Sequence, residues 1–280
     1  LNGSITNNQA DAGGAISTSG GSAFKEVMTI ANNTATSGNG GGILHTAGTL
    51  TLSRTDINNN TASNGDGGGI YSVAPSTTFV ASNTLMHRNT APNGNGGAVY
   101  NTSRSVMTQM TVADNSASAG SGFYNDTGGN IRLFNSLVWG NVTDQIVNNA
   151  TFETNSTFVE GGFNSTSFGF AQSIDPQFLD PANADYRLTL GTNVIDAGQT
   201  DNIRENGTFT QVDFNGDGDT FDTLTEDLVG NPRAVSLQNP VGDPPDPGVY
   251  EAQNVCTVRN TRTTQQLEAQ FITDANNILQ

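Results

Sequence analysis

The stretch 213–222 carries residue types that bind a hard metal ion. Oxygen-bearing side chains alternate there around a glycine: Asp213, Asn215, Asp217, Asp219 and Asp222. Calcium takes carboxylate and amide oxygens at such spacing, as in an EF-hand loop. Leu224 stands where that loop has its bidentate Glu, and helical flanks are missing. The pattern predicts a structural calcium site, with a solvated acidic turn as the alternative.

Asparagine recurs at intervals of 25, 27, 29, 26 and 26 residues, each time three places after an apolar residue. The six members are Asn8, Asn33, Asn60, Asn89, Asn115 and Asn141. A glycine-rich box recurs in phase, beginning at Gly13, Gly40, Gly67 and Gly96. Because amide side chains donate and accept hydrogen bonds along a stack, the six predict a structural column. Ligand binding by the same residues is the alternative.

Short apolar or β-branched runs, such as 49–52 and 78–80, separate these polar clusters and predict strands and turns. At roughly 3.3 Å of rise per residue, a period near 27 holds about three strands of five or six residues with their corners. Glycine and asparagine tolerate the positive φ that corners need. One repeat is therefore one coil of a parallel β-helix.

The composition excludes several classes of function. The net charge is −16 with a single lysine, Lys25, which disfavours nucleic acid and anionic membranes as partners. The sequence contains no run of eighteen apolar residues, so it predicts no membrane-spanning helix. Only 34% of residues are hydrophobic, which suits the thin core of a solenoid better than a compact globule. The polarity comes from Asn, Thr, Ser and Gly and favours an extracellular setting.

Two regions resemble known families. The Gly boxes and apolar-x-x-Asn elements of residues 5–141 resemble the repeats of polymorphic outer-membrane proteins of chlamydiae and related bacterial surface proteins. Five later motifs resemble, in order, the end region of secreted right-handed β-helix proteins with a choice-of-anchor domain: Asp175–Phe178, Asp180–Leu188, Ile195–Gly198, Gly230–Arg233 and Asp246–Glu251. The resemblance implies a right-handed parallel β-helix at a bacterial cell surface, of the adhesin or autotransporter-passenger kind.

The chain divides into three predicted segments: β-helix coils over 1–172, an acidic end-closing region over 173–255, and a strand with an amphipathic helix over 256–280. The motif side chains are predicted to cover the last coil as a lid: Tyr186, Leu188, Ile195, Val249 and Tyr250. We expect Arg187 and Arg233 to form internal ion pairs with Asp185, Asp196 or Glu251, with a substrate clamp as the alternative.

The predicted helix presents apolar residues at helical spacing: Leu267, Phe271, Ala275, Ile278 and Leu279. It has two alternative positions. It folds back on its own last coil, or it caps the first coil of the next copy. A head-to-tail contact that does not close generates a filament, so the second position predicts self-assembly.

Catalysis on polysaccharides needs a carboxylate pair, or calcium with a basic residue, on one face. Asp56, Asp66, Asp114 and Asp126 lie at different phases of the repeat, as do His45 and His87. We therefore expect no catalytic site and expect each histidine to be an isolated surface residue. We expect Trp139 to be a core residue, with a carbohydrate platform as the alternative.

The sequence thus predicts an all-β, right-handed parallel β-helix of about six or seven coils with a terminal α-helix. The expected function is a non-catalytic structural or adhesive protein, extracellular or on a bacterial cell surface. Its expected partners are further copies of itself or cell-surface glycans, and its expected cofactor is calcium or none. The alternative is a carbohydrate-active enzyme, a polysaccharide lyase or hydrolase, or a carbohydrate-binding module.

Overall fold

The computed structural model describes residues 3–73, 77–166, 170–203, 212–214, 220, 223–233 and 244–252. Over these residues the chain is a parallel β-solenoid with almost no helix, which confirms the predicted parallel β-helix. The predicted helix at 267–279 and four of the five predicted calcium ligands, Asn215, Asp217, Asp219 and Asp222, lie outside the described residues.

Twenty strands build the coils. They are β1 (Gly3–Thr6), β2 (Gln9–Ala10), β3 (Ile16–Ala31), β4 (Thr34–Ala35), β5 (Ile43–Asn58), β6 (Thr61–Ala62), β7 (Ile70–Ser72), β8 (Thr78–Ser82), β9 (Leu85–His87), β10 (Thr90–Asn95), β11 (Val99–Asn101), β12 (Arg104–Thr108), β13 (Thr111–Ala113), β14 (Ser116–Ala119), β15 (Phe123–Asn125), β16 (Asn130–Phe134), β17 (Leu137–Trp139), β18 (Ile146–Asn148), β19 (Thr151–Asn155) and β20 (Phe158–Val159). Two antiparallel pairs follow, β21 (Phe163–Asn164) with β22 (Phe170–Ala171) and β23 (Phe178–Asp180) with β24 (Asp185–Leu188). Short 3-10 turns span Pro181–Asn183 and Thr200–Ile203.

Each coil adds one rung to four parallel ladders. Ladder 1 contains β1, the ends of β3 and β5, β9, β13, β17 and β20. Ladder 2 contains β2, β4, β6, β10 and β14. Ladder 3 contains the starts of β3 and β5, then β7, β11, β15 and β18, and ladder 4 contains the middles of β3 and β5, then β8, β12, β16 and β19.

The solenoid has five complete coils, fewer than the six or seven predicted. The sixth coil has no ladder 2 strand among the described residues, and β20 is the only rung of a seventh. The predicted three strands per coil are joined by a fourth, the short ladder 2 strand, because the polar stretch after each column asparagine also pairs with its neighbours.

The core runs up the inside of the ladders as columns of apolar side chains in register. On ladder 1 the column is Ile30, Ile57, Met86, Val112 and Val138, all fully buried. Side chains alternate across a strand, so every second residue points inward and β-branched residues fit there best. Each such side chain contributes about 1.5–3 kcal/mol on burial.

Positive φ marks two corners of nearly every coil. One corner lies directly before the column asparagine, at Asn7, Asn32, Asn59, Arg88, Asp114 and Gly140. The other joins ladder 4 to ladder 1, at Val27, Arg54, Asn83, Gln109, Asn135 and Ser156, and is called the outer corner below. In the Gly box, Gly67 has a φ of 69°, and a Cβ on Gly68 would lie 2.6 Å from the carbonyl oxygen of Gly97 in the next coil.

The hairpin β21–β22 covers the last coil. Ala171 is part of the main core cluster, and the Phe163 ring lies 5.0 Å from the Phe152 ring. Phe163 and Ala171 therefore cover the end of the core, whereas the predicted lid residues Leu188 and Ile195 pack beside Leu137 and Phe158.

The described residues from 173 to 252, called the cover below, lie along the outer sides of ladders 1 and 4. Tyr186 and Val249 pack against Leu85 and Ala113 of the fourth and fifth coils. Val212 and Phe214 pack against Val80, Val106 and Phe134 of ladder 4. The prediction that Tyr186 and Val249 lie over the last coil is wrong. The outward side chains of these rungs are apolar, and burying them draws the cover to the side of the rod.

Candidate functional site

The six recurring asparagines form one continuous column. Each side-chain Nδ2 donates to the Oδ1 of the next member, at 2.9 Å from Asn8 to Asn33, from Asn33 to Asn60 and from Asn60 to Asn89. The last two steps, from Asn89 to Asn115 to Asn141, measure 3.0 Å each. The four internal members are fully buried.

Every remaining polar atom of an internal member also has a partner. Asn60 illustrates this: its Oδ1 also accepts from the backbone N–H of Asn33 at 3.0 Å, and its Nδ2 also donates to the carbonyl of Ile30 at 2.8 Å. At the far end the Oε1 of Gln145 accepts from Asn141 Nδ2 at 2.6 Å and replaces a seventh asparagine. The amides are used in cross-links between coils, which leaves no group for the alternative role in ligand binding.

Ladder 3 contains a second amide column that sequence reasoning missed. Asn101 Nδ2 donates to Asn125 Oδ1 at 2.9 Å, and Asn125 Nδ2 donates to Asn148 Oδ1 at 2.8 Å. In the preceding coils Ser72 and His45 occupy the same register. The available signal is the dipeptide Tyr-Asn at 100–101 and 124–125, which is too short to stand out as a repeat.

Three tyrosines stack on the outer side of ladder 3, and we call them the tyrosine stripe. The rings of Tyr71 and Tyr100 lie 5.0 Å apart with planes at 16°, and those of Tyr100 and Tyr124 lie 5.4 Å apart at 5°. The Tyr100 hydroxyl donates to Asp126 Oδ2 at 2.6 Å, and burial together with this bond raises the pKa of Tyr100 well above its usual value. Since each ring covers the face of its neighbour, the stripe presents ring edges and hydroxyls to solvent.

The two histidines are buried, contrary to the prediction that each is a surface residue. The ring of His45 is enclosed on ladder 3, with Nδ1 2.7 Å from Thr18 Oγ1, and burial lowers its pKa. His87 lies under the cover, where its Nε2 is 3.3 Å from Asp56 Oδ1 and its ring is 5.2 Å from that of Tyr186. The two histidines lie on different ladders, so they do not form one site.

Trp139 is a half-buried residue on the outer side of ladder 1, in register with Ala113. It is neither in the main core cluster nor part of the tyrosine stripe. The prediction of a core residue is therefore wrong for Trp139, because the inward position of this rung belongs to Val138.

Outer-corner side chains hold the cover on the solenoid. Arg54 Nη1 pairs with Glu226 Oε2 at 2.7 Å, and Asn83 Nδ2 donates to the carbonyl of Glu226 at 2.9 Å. Two coils further on, Asn135 Oδ1 accepts from the backbone N–H of Gln199 at 2.9 Å. A positive φ turns these side chains outward, so a corner needed for the coil also supplies the docking contacts.

Residues of three of the five predicted motifs meet in one buried cluster within the cover, centred on Arg233. Its guanidinium donates to Asn83 Oδ1 at 2.7 Å, to the Gly248 carbonyl at 2.9 Å and to Glu251 Oε2 at 3.2 Å. Asp246 accepts from the backbone N–H of Asp196 at 2.6 Å, and burial raises its pKa to about 6. The ion pair between Arg233 and Glu251 was predicted and is confirmed, as is the pair between Arg187 and Asp185.

The calcium prediction stays untested in its main part. Asp213 is the one predicted ligand that is described, and it lies between the buried residues Val212 and Phe214. Elsewhere, the described residues hold no cluster of three or more His, Cys, Asp or Glu side chains that would bind a metal ion. The part of the chain that is described also has no helix long and apolar enough to cross a membrane.

Stacked coils, buried amide columns and a docked cover define the protein as a repeat-built parallel β-solenoid. Residues 54–73 match the Chlamydia polymorphic membrane protein repeat, whose family is found at the outer-membrane surface. The matched segment begins at the Arg54 corner, includes Asn60 and the box Gly67–Gly69, and ends just after β7. No curated protein and no solved structure matches the chain.

Proposed function

We propose that this chain is a non-catalytic structural or adhesive protein of a bacterial cell surface, in which a stiff rod presents one open side to a partner. The proposal rests on one observation: the recurring polar side chains bond to each other. The column asparagines are buried and bonded along the axis, which supports rigidity and leaves them unable to perform chemistry. The match to a surface-protein repeat supports the location.

The contact face in this proposal is the outer side of ladder 3. The cover lies on ladders 1 and 4, while the tyrosine stripe is half-buried and has no described segment packed over it. Side chains of Leu44, Tyr71, Tyr100, Tyr124 and Val147 lie in register there and extend over five coils. A straight stripe of this length fits a partner that runs along the rod.

Adhesion of whole cells tests the proposal. A non-adherent bacterial strain that displays the chain should bind epithelial cells, and the triple substitution Tyr71→Ser, Tyr100→Ser and Tyr124→Ser should abolish that binding. The matched control is Val142→Ser, because Val142 is 69% exposed and lies outside the stripe. Equal adhesion of the triple variant and the wild type, at equal surface display and circular dichroism, would contradict the assigned face.

Head-to-tail assembly remains part of the proposal and depends on the predicted helix at 267–279. The hairpin β21–β22 already occupies the last coil, so a second copy does not stack directly on that end. Electron microscopy of a concentration series, with and without a calcium chelator, tests the filament and the calcium site together. Filaments that are lost on addition of the chelator would support both, whereas single rods under all conditions would contradict head-to-tail assembly.

A further inference from the structure

A cavity of about 440 Å³ opens between the last coils of the solenoid and the cover. Four amide side chains line it, those of Asn155 from β19 and of Gln172, Asn193 and Gln199 from the segment that follows the hairpin. Its apolar lining comes from Phe158, Ile174 and Ala197. This volume falls within the range of small-molecule sites, about 300–1,000 Å³.

The amides of this cavity differ from those of the buried columns because most of them are free. Among the described residues, the side chains of Gln172, Asn193 and Gln199 form no hydrogen bond, and all three residues are exposed. No lining residue carries a charge. Three amides without a described partner therefore lie around this one opening, whereas the amides of the two columns bond to each other.

We infer that this cavity binds a neutral sugar unit of a glycan. A primary amide offers a donor and an acceptor in one plane, which matches neighbouring hydroxyls on a pyranose ring. The apolar lining suits the C–H face of the same ring, and a few placed polar groups over apolar walls are the usual composition of a ligand pocket. The absence of a lining charge and the net charge of −16 disfavour anionic ligands.

This inference names a ligand class for the adhesive role proposed above. Its biological meaning depends on that role, whereas sugar binding itself does not. The pocket lies at the ladder 4 to ladder 1 corner, whereas the tyrosine stripe lies on ladder 3. The two surfaces can therefore be tested separately.

The test is a titration of the ¹⁵N-labelled chain with cellobiose, lactose and N,N′-diacetylchitobiose, followed through the side-chain amide resonances. At least one disaccharide should shift the resonances of Gln172, Asn193 and Gln199 saturably, with Kd of about 1 mM. Gln172→Ala and Gln199→Ala should each weaken binding about 5- to 10-fold, the effect of one neutral hydrogen bond. The matched control is Gln9→Ala, an exposed amide of the first coil, which should leave Kd unchanged.

Three results would overturn the inference. One is the absence of amide shifts with all three disaccharides up to about 50 mM, well above the expected Kd. Another is equal affinity in the wild type and in the variants Gln172→Ala and Gln199→Ala. The third is tighter binding of galacturonic acid than of the neutral sugars. If adhesion through the tyrosine stripe persists alongside any of these results, the proposed function stands without the sugar pocket.

Discussion

Replacement of Asn60 by alanine in the middle of the amide column should be strongly destabilising. The substitution removes four hydrogen bonds: two that Nδ2 donates, to Asn89 Oδ1 and the Ile30 carbonyl, and two that Oδ1 accepts from Asn33. The backbone N–H of Asn33 then loses its acceptor in a fully buried position. Asn89 Oδ1 keeps one donor, the backbone N–H of residue 60.

The magnitude follows from these counts. Each buried polar group left without a partner costs about 1–3 kcal/mol, and the Asn33 N–H, the Asn33 amide and the Ile30 carbonyl are all affected. The Asn33 amide keeps its bond to the Ile5 carbonyl, so it loses only part of its stabilisation. We expect Asn60→Ala to lower the free energy of unfolding by about 3–5 kcal/mol.

The assay combines guanidinium unfolding, followed by circular dichroism, with hydrogen exchange. Solenoids lose structure coil by coil, so exchange should rise first in the end of β3 and in β5, which flank the substitution. Asn64→Ala is the matched control, because Asn64 is exposed in the same coil and makes one side-chain bond, to the Thr36 carbonyl. Its cost should stay below about 1 kcal/mol. Equal effects of the two substitutions would refute the view that the column holds the coils together.

Three further predictions concern the corners and the cover. Val27 has a φ of 48°, which is strained for a β-branched residue, so Val27→Asn should stabilise by about 1 kcal/mol and raise Tm, whereas Val142→Asn should leave Tm unchanged. Arg233→Ala should lower the free energy of unfolding by about 3–5 kcal/mol, because it leaves buried carboxylates unpaired. Amide hydrogen exchange should rise across the cover but not in the ladders, and Arg187→Ala, at an exposed pair, should change stability little. Burial raises the pKa of Asp246 from 3.8 to about 6, so its carboxyl group should titrate near pH 6 in carboxyl NMR. Its contribution to stability is complete below pH 3.8 and is lost as pH rises through 6, about 3 kcal/mol in all. Asp246→Asn should remove that pH dependence.

Much of the solenoid could be predicted because its contacts repeat along the sequence. In a parallel ladder each residue pairs with the residue one period later, so Ile30, Ile57 and Met86 are neighbours in space although they lie 27 and 29 residues apart in the chain. The same regularity exposed the glycine boxes and the asparagine column. Wherever the period carried the information, counting residues was sufficient to predict contacts.

The repeat period alone predicts too many complete coils and does not reveal the second amide column. After Val138 the spacing shortens, because Gln145 closes the main column and the ladder 2 rung is absent from the described part of the sixth coil. Ladder 3 places Asn101, Asn125 and Asn148 in register without a shared longer motif around them. Periodicity finds what recurs in full and passes over partial repeats.

The sequence alone determined the repeat and the asparagine column, because each depends on a fixed period, and it limited the acidic partner of Arg233 to Asp185, Asp196 or Glu251. Only the tertiary structure decided where the cover lies. Its contacts join residues as far apart as Asn83 and Arg233, and they depend on which outward rungs are apolar. The position of the cover buries His87 and forms the amide-lined cavity beside Asn155. Neither follows from a local pattern, since both arise where two distant segments happen to pack.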